Sequence, residues 1–170
     1  MKRTLLILGF LLTSFALAQP TCETLVDDLE TAFDEAESLL SEVEVVANGR
    51  EMGYQKARLT RDDAGELQSE VLEERGQRPP EDEGEDESED EFSFNCEGNE
   101  LELLGSDGSY RLTLQEDDEE IPVDEYRLEF VPQGERYLPR SIIANFNTTF
   151  VLIPVRGTFT TNLSEWTFPE

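Results

Sequence analysis

From residue 51 onward apolar side chains recur at every second position, and that period of two decides what most of this chain can become. Residues 52–60 and 67–74 flank Arg61-Asp62-Asp63-Ala64-Gly65-Glu66, a turn by composition, so the pair reads as a hairpin. Leu101 and Leu103 alternate with glutamates, and Gly105-Ser106-Asp107-Gly108 turns the chain into Tyr110, Leu112 and Leu114. Tyr126, Leu128 and Phe130 alternate with Arg127 and Glu129, and Pro132-Gln133-Gly134 turns again. Residues 141–146, 150–155 and 157–161, and a short segment carrying Trp166 and Phe168, complete the strand candidates. About eight strands joined by short turns make a mostly antiparallel sheet with one wet face and one covered face.

The period differs before residue 50. Cys22, Leu25, Val26, Leu29, Ala32, Phe33, Ala36, Leu39, Leu40 and Val43 recur at spacings of three and four, the stripe of an amphipathic helix. Pro20 and Thr21 stand where a helix start wants them, with Thr21 as N-cap, and Gly49 closes the region at the latest. The fold class expected is therefore α+β: a curled, mostly antiparallel, half-barrel-like sheet packed against one long N-terminal amphipathic helix. A helix of about 20 residues, roughly 30 Å long, covers only part of such a sheet. The sheet must curl around it, which either leaves an apolar crevice between the two or packs the face solid.

Residues 1–18 read as an address. Lys2 and Arg3 precede an apolar run that ends in Ala16-Leu17-Ala18, the pattern of a cleaved secretory signal peptide. The run is short for a membrane span, so no stable span is expected after cleavage. Residues 19–170 then form a single domain, exported to a periplasmic or extracellular compartment. Both cysteines remain in it, and an even count in an exported chain predicts one disulfide, Cys22–Cys96; two separate buried thiols are the alternative.

Charge and residue types exclude more than they select. The chain holds 40 acidic and 13 basic residues and no histidine, for a net charge of −27. Binding to nucleic acid requires clustered Lys and Arg, so it is not expected. The absence of histidine removes the commonest general base, and two cysteines cannot build a four-thiolate zinc site. No serine sits in a nucleophile motif, and the carboxylates fall in no recognisable acid–base pair, so the expectation is a protein that is not an enzyme and has no cofactor. In residues 81–91, 9 of 11 side chains are acidic. This predicts a disordered acidic loop at about 79–91, with a second acidic turn at 116–120. Such a loop offers oxygen ligands for weak, nonselective binding of divalent cations.

Tyr126-Arg127-Leu128-Glu129-Phe130, the Gly-containing turn, and Tyr137-Leu138-Pro139-Arg140-Ser141-Ile142 resemble a strand–turn–"LP-x-x-I" passage of the LolA/LppX-like family of exported lipid-handling proteins. Val155-Arg156-Gly157-Thr158 and Leu163-Ser164-Glu165-Trp166-Thr167-Phe168 resemble its closing strands. The resemblance implies a half-barrel whose concave apolar face holds acyl chains, with Leu112, Leu114, Leu128, Phe130, Ile142, Phe146 and Trp166 near the cavity. From the helix side the crevice is expected to be lined by Leu29, Phe33, Ala36 and Leu40. From the sheet side the expected lining is Leu112, Leu128, Phe130, Ile142 and Phe146. The functional expectation is an exported non-catalytic protein that binds or carries a lipid or other apolar small molecule in the cell envelope. The alternative is an acidic secreted adaptor that binds a basic protein partner or divalent cations through its acidic loop.

Overall fold

The structure, a computed structural model, describes residues 19–76, 96–115, 123–150 and 153–169. The signal segment, the acidic loop at about 79–91 and the acidic turn at 116–120 lie outside the described residues. One helix, α1 (Cys22–Glu35), precedes eight strands. These are β1 (Ser38–Ala47), β2 (Arg50–Arg61), β3 (Leu67–Gly76), β4 (Glu100–Leu103), β5 (Tyr110–Gln115), β6 (Val123–Gln133), β7 (Arg136–Phe150) and β8 (Ile153–Thr167). All lie in one sheet in the order β3-β2-β1-β8-β7-β6-β5-β4, and every pairing is antiparallel. The sheet curls around the helix without closing. The α+β class and the half-barrel-like sheet are as the alternation predicts.

The helix is shorter than its stripe predicts. It starts at Thr21, whose side-chain oxygen accepts from the Thr24 amide at 3.2 Å, and it ends at Ala36, where ψ swings to 128°. Arg61 fixes that end: its Nε donates to the Ala36 carbonyl at 2.9 Å, Nη2 donates to the Phe33 carbonyl at 2.6 Å, and Nη1 donates to the Gly65 carbonyl. A cation thus satisfies carbonyls that a helix C-terminus leaves without partners. Leu39, Leu40 and Val43 belong to β1 instead. Their spacing suits a helix, yet Glu42-Val43-Glu44-Val45 alternates and is rich in β-branched residues, which pack well on a pleated surface. Asn48 and Gly49, with φ of 50° and 75°, then form the two-residue turn that hands β1 to β2. The four strand candidates after residue 140 also merge. They fall on β7 and β8, each 15 residues long.

The core lies between α1 and the concave face. Cys22, Leu25, Val26 and Leu29 pack with Leu112 and Leu114 of β5, Leu128 and Phe130 of β6, and Tyr137 and Ala144 of β7. A second cluster at the helix C-terminus joins Ala36, Leu39 and Leu163, with Phe33, Leu59, Leu67 and Trp166 against them. Asp28 ties the helix to β7 by accepting from the Tyr137 amide at 2.8 Å. The expected disulfide is present: Cys22 and Cys96 are joined, with their Cα atoms 5.9 Å apart.

Candidate functional site

Length explains where the concave face is left open. Fourteen helical residues span roughly 21 Å, whereas the 15-residue strands β7 and β8 reach roughly 50 Å. The helix covers β5, β6 and the first part of β7, and its C-terminus meets the start of β1. Among the described residues no second helix is available for the far parts of β1, β2, β7 and β8.

The strand register identifies the side chains on that open stretch, because directly paired residues share a face. One row reads Gly53–Val45–Phe159–Ala144–Tyr126 across five strands. Its neighbour toward the strand ends reads Arg50–Ala47–Gly157–Phe146–Val123. The row toward the helix reads Gln55–Val43–Thr161–Ile142–Leu128. Leu128 and Tyr126 lie under the helix, while Val43, Val45, Ala47 and Phe146 are only half-buried and Phe159 is 41 % exposed. These rows form a shallow trough, apolar at Val43, Val45, Ala47, Phe146 and Phe159 and polar at Arg50, Gln55 and Thr161, that continues the core face out past the helix. Gly157 shapes its floor. A Cβ there would clash with the Val46 carbonyl oxygen and with the Phe146 ring, so the phenylalanine ring lies across the glycine.

The expected lining residues divide by where the helix reaches. Leu29, Ala36, Leu112, Leu128 and Phe130 are buried in the two core clusters, packed on one another. Leu40 lies on β1 rather than on the helix and pairs with Arg58 and Ser164, so it shares the convex face. Phe33 is half-buried at the helix end against Trp166, with ring centroids 5.3 Å apart, and Trp166 stacks on Phe168 at 6.1 Å. Ile142 and Phe146 are half-buried, and Phe146 lies in the trough. Val43, Val45, Ala47 and Phe159 were not in the sequence-based lining. The Val43/Val45 alternation beside Asn48-Gly49 is the signal that places the first three on a strand.

The convex face is electrostatic. Glu129 accepts from Arg111 at 2.7 Å and from Arg140 at 2.8 Å, and Arg111 reaches Glu102 at 3.3 Å. Lys56 holds Glu42 at 2.6 Å, and Arg127 holds Glu125 at 2.7 Å. The hydrogen bond from Arg140 and that from Arg111 hold the Glu129 carboxyl below its ordinary value. A carboxylate with a lowered folded pKa contributes stability above the ordinary glutamate range and loses it as pH falls through the lowered value. Glu129→Gln is therefore expected to cost about 1–2 kcal/mol at neutral pH. The difference between wild type and variant should shrink below the ordinary glutamate range, as read by urea melts across pH. A difference independent of pH would contradict the ion-pair account.

A separate polar hollow of about 440 Å³ sits at the β4–β5 turn, lined by Leu104, Gly105, Ser106, Asp107, Ser109 and Arg140. Asp107 accepts there from the Ser109 amide at 3.1 Å and the Ser109 hydroxyl at 2.9 Å, which holds its carboxyl below the ordinary value. Both bonds are local turn closure. Among the described residues no group of three or more Cys, Asp or Glu is placed to hold a metal ion, and no helix is long and apolar enough to cross a membrane. No protein-family model matches the chain, and no curated protein matches it.

Proposed function

We propose that the chain is an exported, non-catalytic protein that binds or carries a lipid or other apolar small molecule on the uncovered part of its concave sheet face. The observation that carries this reading is the row Gly53–Val45–Phe159–Ala144–Tyr126, which runs from open apolar surface to the buried core without a polar side chain of high charge. Apolar sheet surface that stays half-exposed in a chain of net charge −27 is not needed for folding, since the core is already complete under the helix. Concave, mostly apolar surfaces are where small ligands bind. The Cys22–Cys96 bond fits an oxidising compartment, in keeping with the signal-like residues 1–18. The likeness to LolA/LppX-like carriers in 126–142 and 155–168 points the same way.

The test is binding of the neutral apolar dye Nile red. Wild-type protein is expected to give a saturable rise in fluorescence. Val45→Glu, which sets a carboxylate in mid-row between Gly53 and Phe159, is expected to weaken binding by about tenfold or more. Its circular dichroism should be unchanged, since Val45 is only half-buried. Absence of saturable binding by wild type, or equal binding by both proteins, would contradict the reading.

A further inference from the structure

Export with removal of residues 1–18 puts one particular residue at the start of the mature chain. Cleavage after Ala16-Leu17-Ala18 leaves Gln19 with a free α-amine. Gln19 is exposed, and its side chain makes no hydrogen bond among the described residues. Everything directly after it is fixed. Pro20 is buried, Thr21 caps α1 through its side-chain oxygen, and Cys22 is bonded to Cys96. The mature chain therefore begins with a single glutamine that is free to turn about its own bonds, followed at once by a buried proline.

We infer that Gln19 is a modification site and is converted to pyroglutamate. The inference rests on the export part of the reading above and not on the trough. The neutral α-amine attacks Cδ of the same residue's carboxamide. The N–Cδ bond forms, the Cδ–Nε2 bond breaks, and a proton passes from the amine to the departing nitrogen, which leaves as ammonia. No oxidant or co-reactant is consumed, and all the reacting atoms belong to Gln19. An α-amine titrates near roughly pH 8, so about a tenth of it is already the neutral nucleophile at pH 7. The consequence lies at the helix start. Exopeptidases that open an X–Pro terminus need a free α-amine. Trimming through Thr21 would delete the oxygen that accepts from the Thr24 amide at 3.2 Å and would leave Cys22, one half of the disulfide, at the terminus. The lactam removes that point of attack and so protects both the cap and the bond.

The experiment is intact-mass and N-terminal-peptide mass spectrometry, with Edman degradation, on the protein purified from its native source and on Gln19→Ala made in the same host. After reduction of the disulfide, the dominant wild-type species is expected to be the 19–170 chain, lighter than its sequence by one ammonia, with the loss in the N-terminal peptide and no Edman signal. Gln19→Ala is expected at its full sequence mass and readable by Edman degradation. A wild-type chain that begins at Gln19 with its full mass and a readable terminus would overturn the inference and leave export standing. An ammonia loss that persists in Gln19→Ala would also overturn it. A terminus at any other mature residue would overturn cleavage after Ala18 and this inference with it. A chain that still begins at Met1 would overturn the export reading as well.

Discussion

Reduction of the Cys22–Cys96 bond is expected to lower the melting temperature by roughly 10 °C or more. The bond spans 74 residues of sequence, and in the chain-entropy model a closure of that length contributes roughly 4 kcal/mol by restricting the unfolded chain. For a domain of this size that converts to a shift of about 3 °C or more per kcal/mol. The native side adds to this. Cys22 opens α1 and is buried in the main core cluster, and Cys96 packs against the same cluster just ahead of β4. The bond therefore holds the helix start against the β4–β5 edge of an unclosed sheet. Thermal melts of wild type with and without reductant, and of Cys22→Ser, measure it. Unchanged melting on reduction, with two alkylatable thiols in the native protein, would contradict it.

The second large effect separates two phenylalanines on the same concave face. Phe130 is fully buried between α1 and the sheet, and Phe130→Ala is expected to cost about 3–5 kcal/mol, the range for emptying a closed aromatic site. Phe159 is 41 % exposed in the trough, and Phe159→Ala is expected to cost less than about 1 kcal/mol. The order reverses in ligand binding, where Phe159→Ala should weaken Nile red several-fold. Denaturant melts and dye titrations on the two variants check both halves. Similar stability losses at the two positions would mean that the trough is ordinary core.

The sheet was largely legible because its signal is local. Alternation along Tyr110–Gln115 and within β6 states which residues face inward, and the structure buries Leu112, Leu114, Leu128 and Phe130 as that pattern requires. The end of the helix was not legible from the stripe. Leu39 and Val43 are four apart, which suits a helix, and they also fall on one face of a strand. The decision comes from Arg61, 25 residues beyond Ala36, closing the helix carbonyls, and from pairing with β2 and β8. The trough was out of reach for a related reason. A hydrophobic stripe shows which way a helix faces but not how far it extends over a sheet. The rows that make the open surface exist only once strands more than 100 residues apart, such as β1 and β8, are in register. The lining expected from sequence therefore centres on the residues the helix covers; past its reach it includes Phe146 but not Val43, Val45, Ala47 and Phe159.

Native mass spectrometry of the protein purified from its native source tests the central claim most directly. The account predicts a population carrying the noncovalent mass of a lipid or other apolar small molecule, lost on denaturation and reduced in Val45→Glu. Only the bare chain mass, from gentle conditions and before any delipidation, would contradict it.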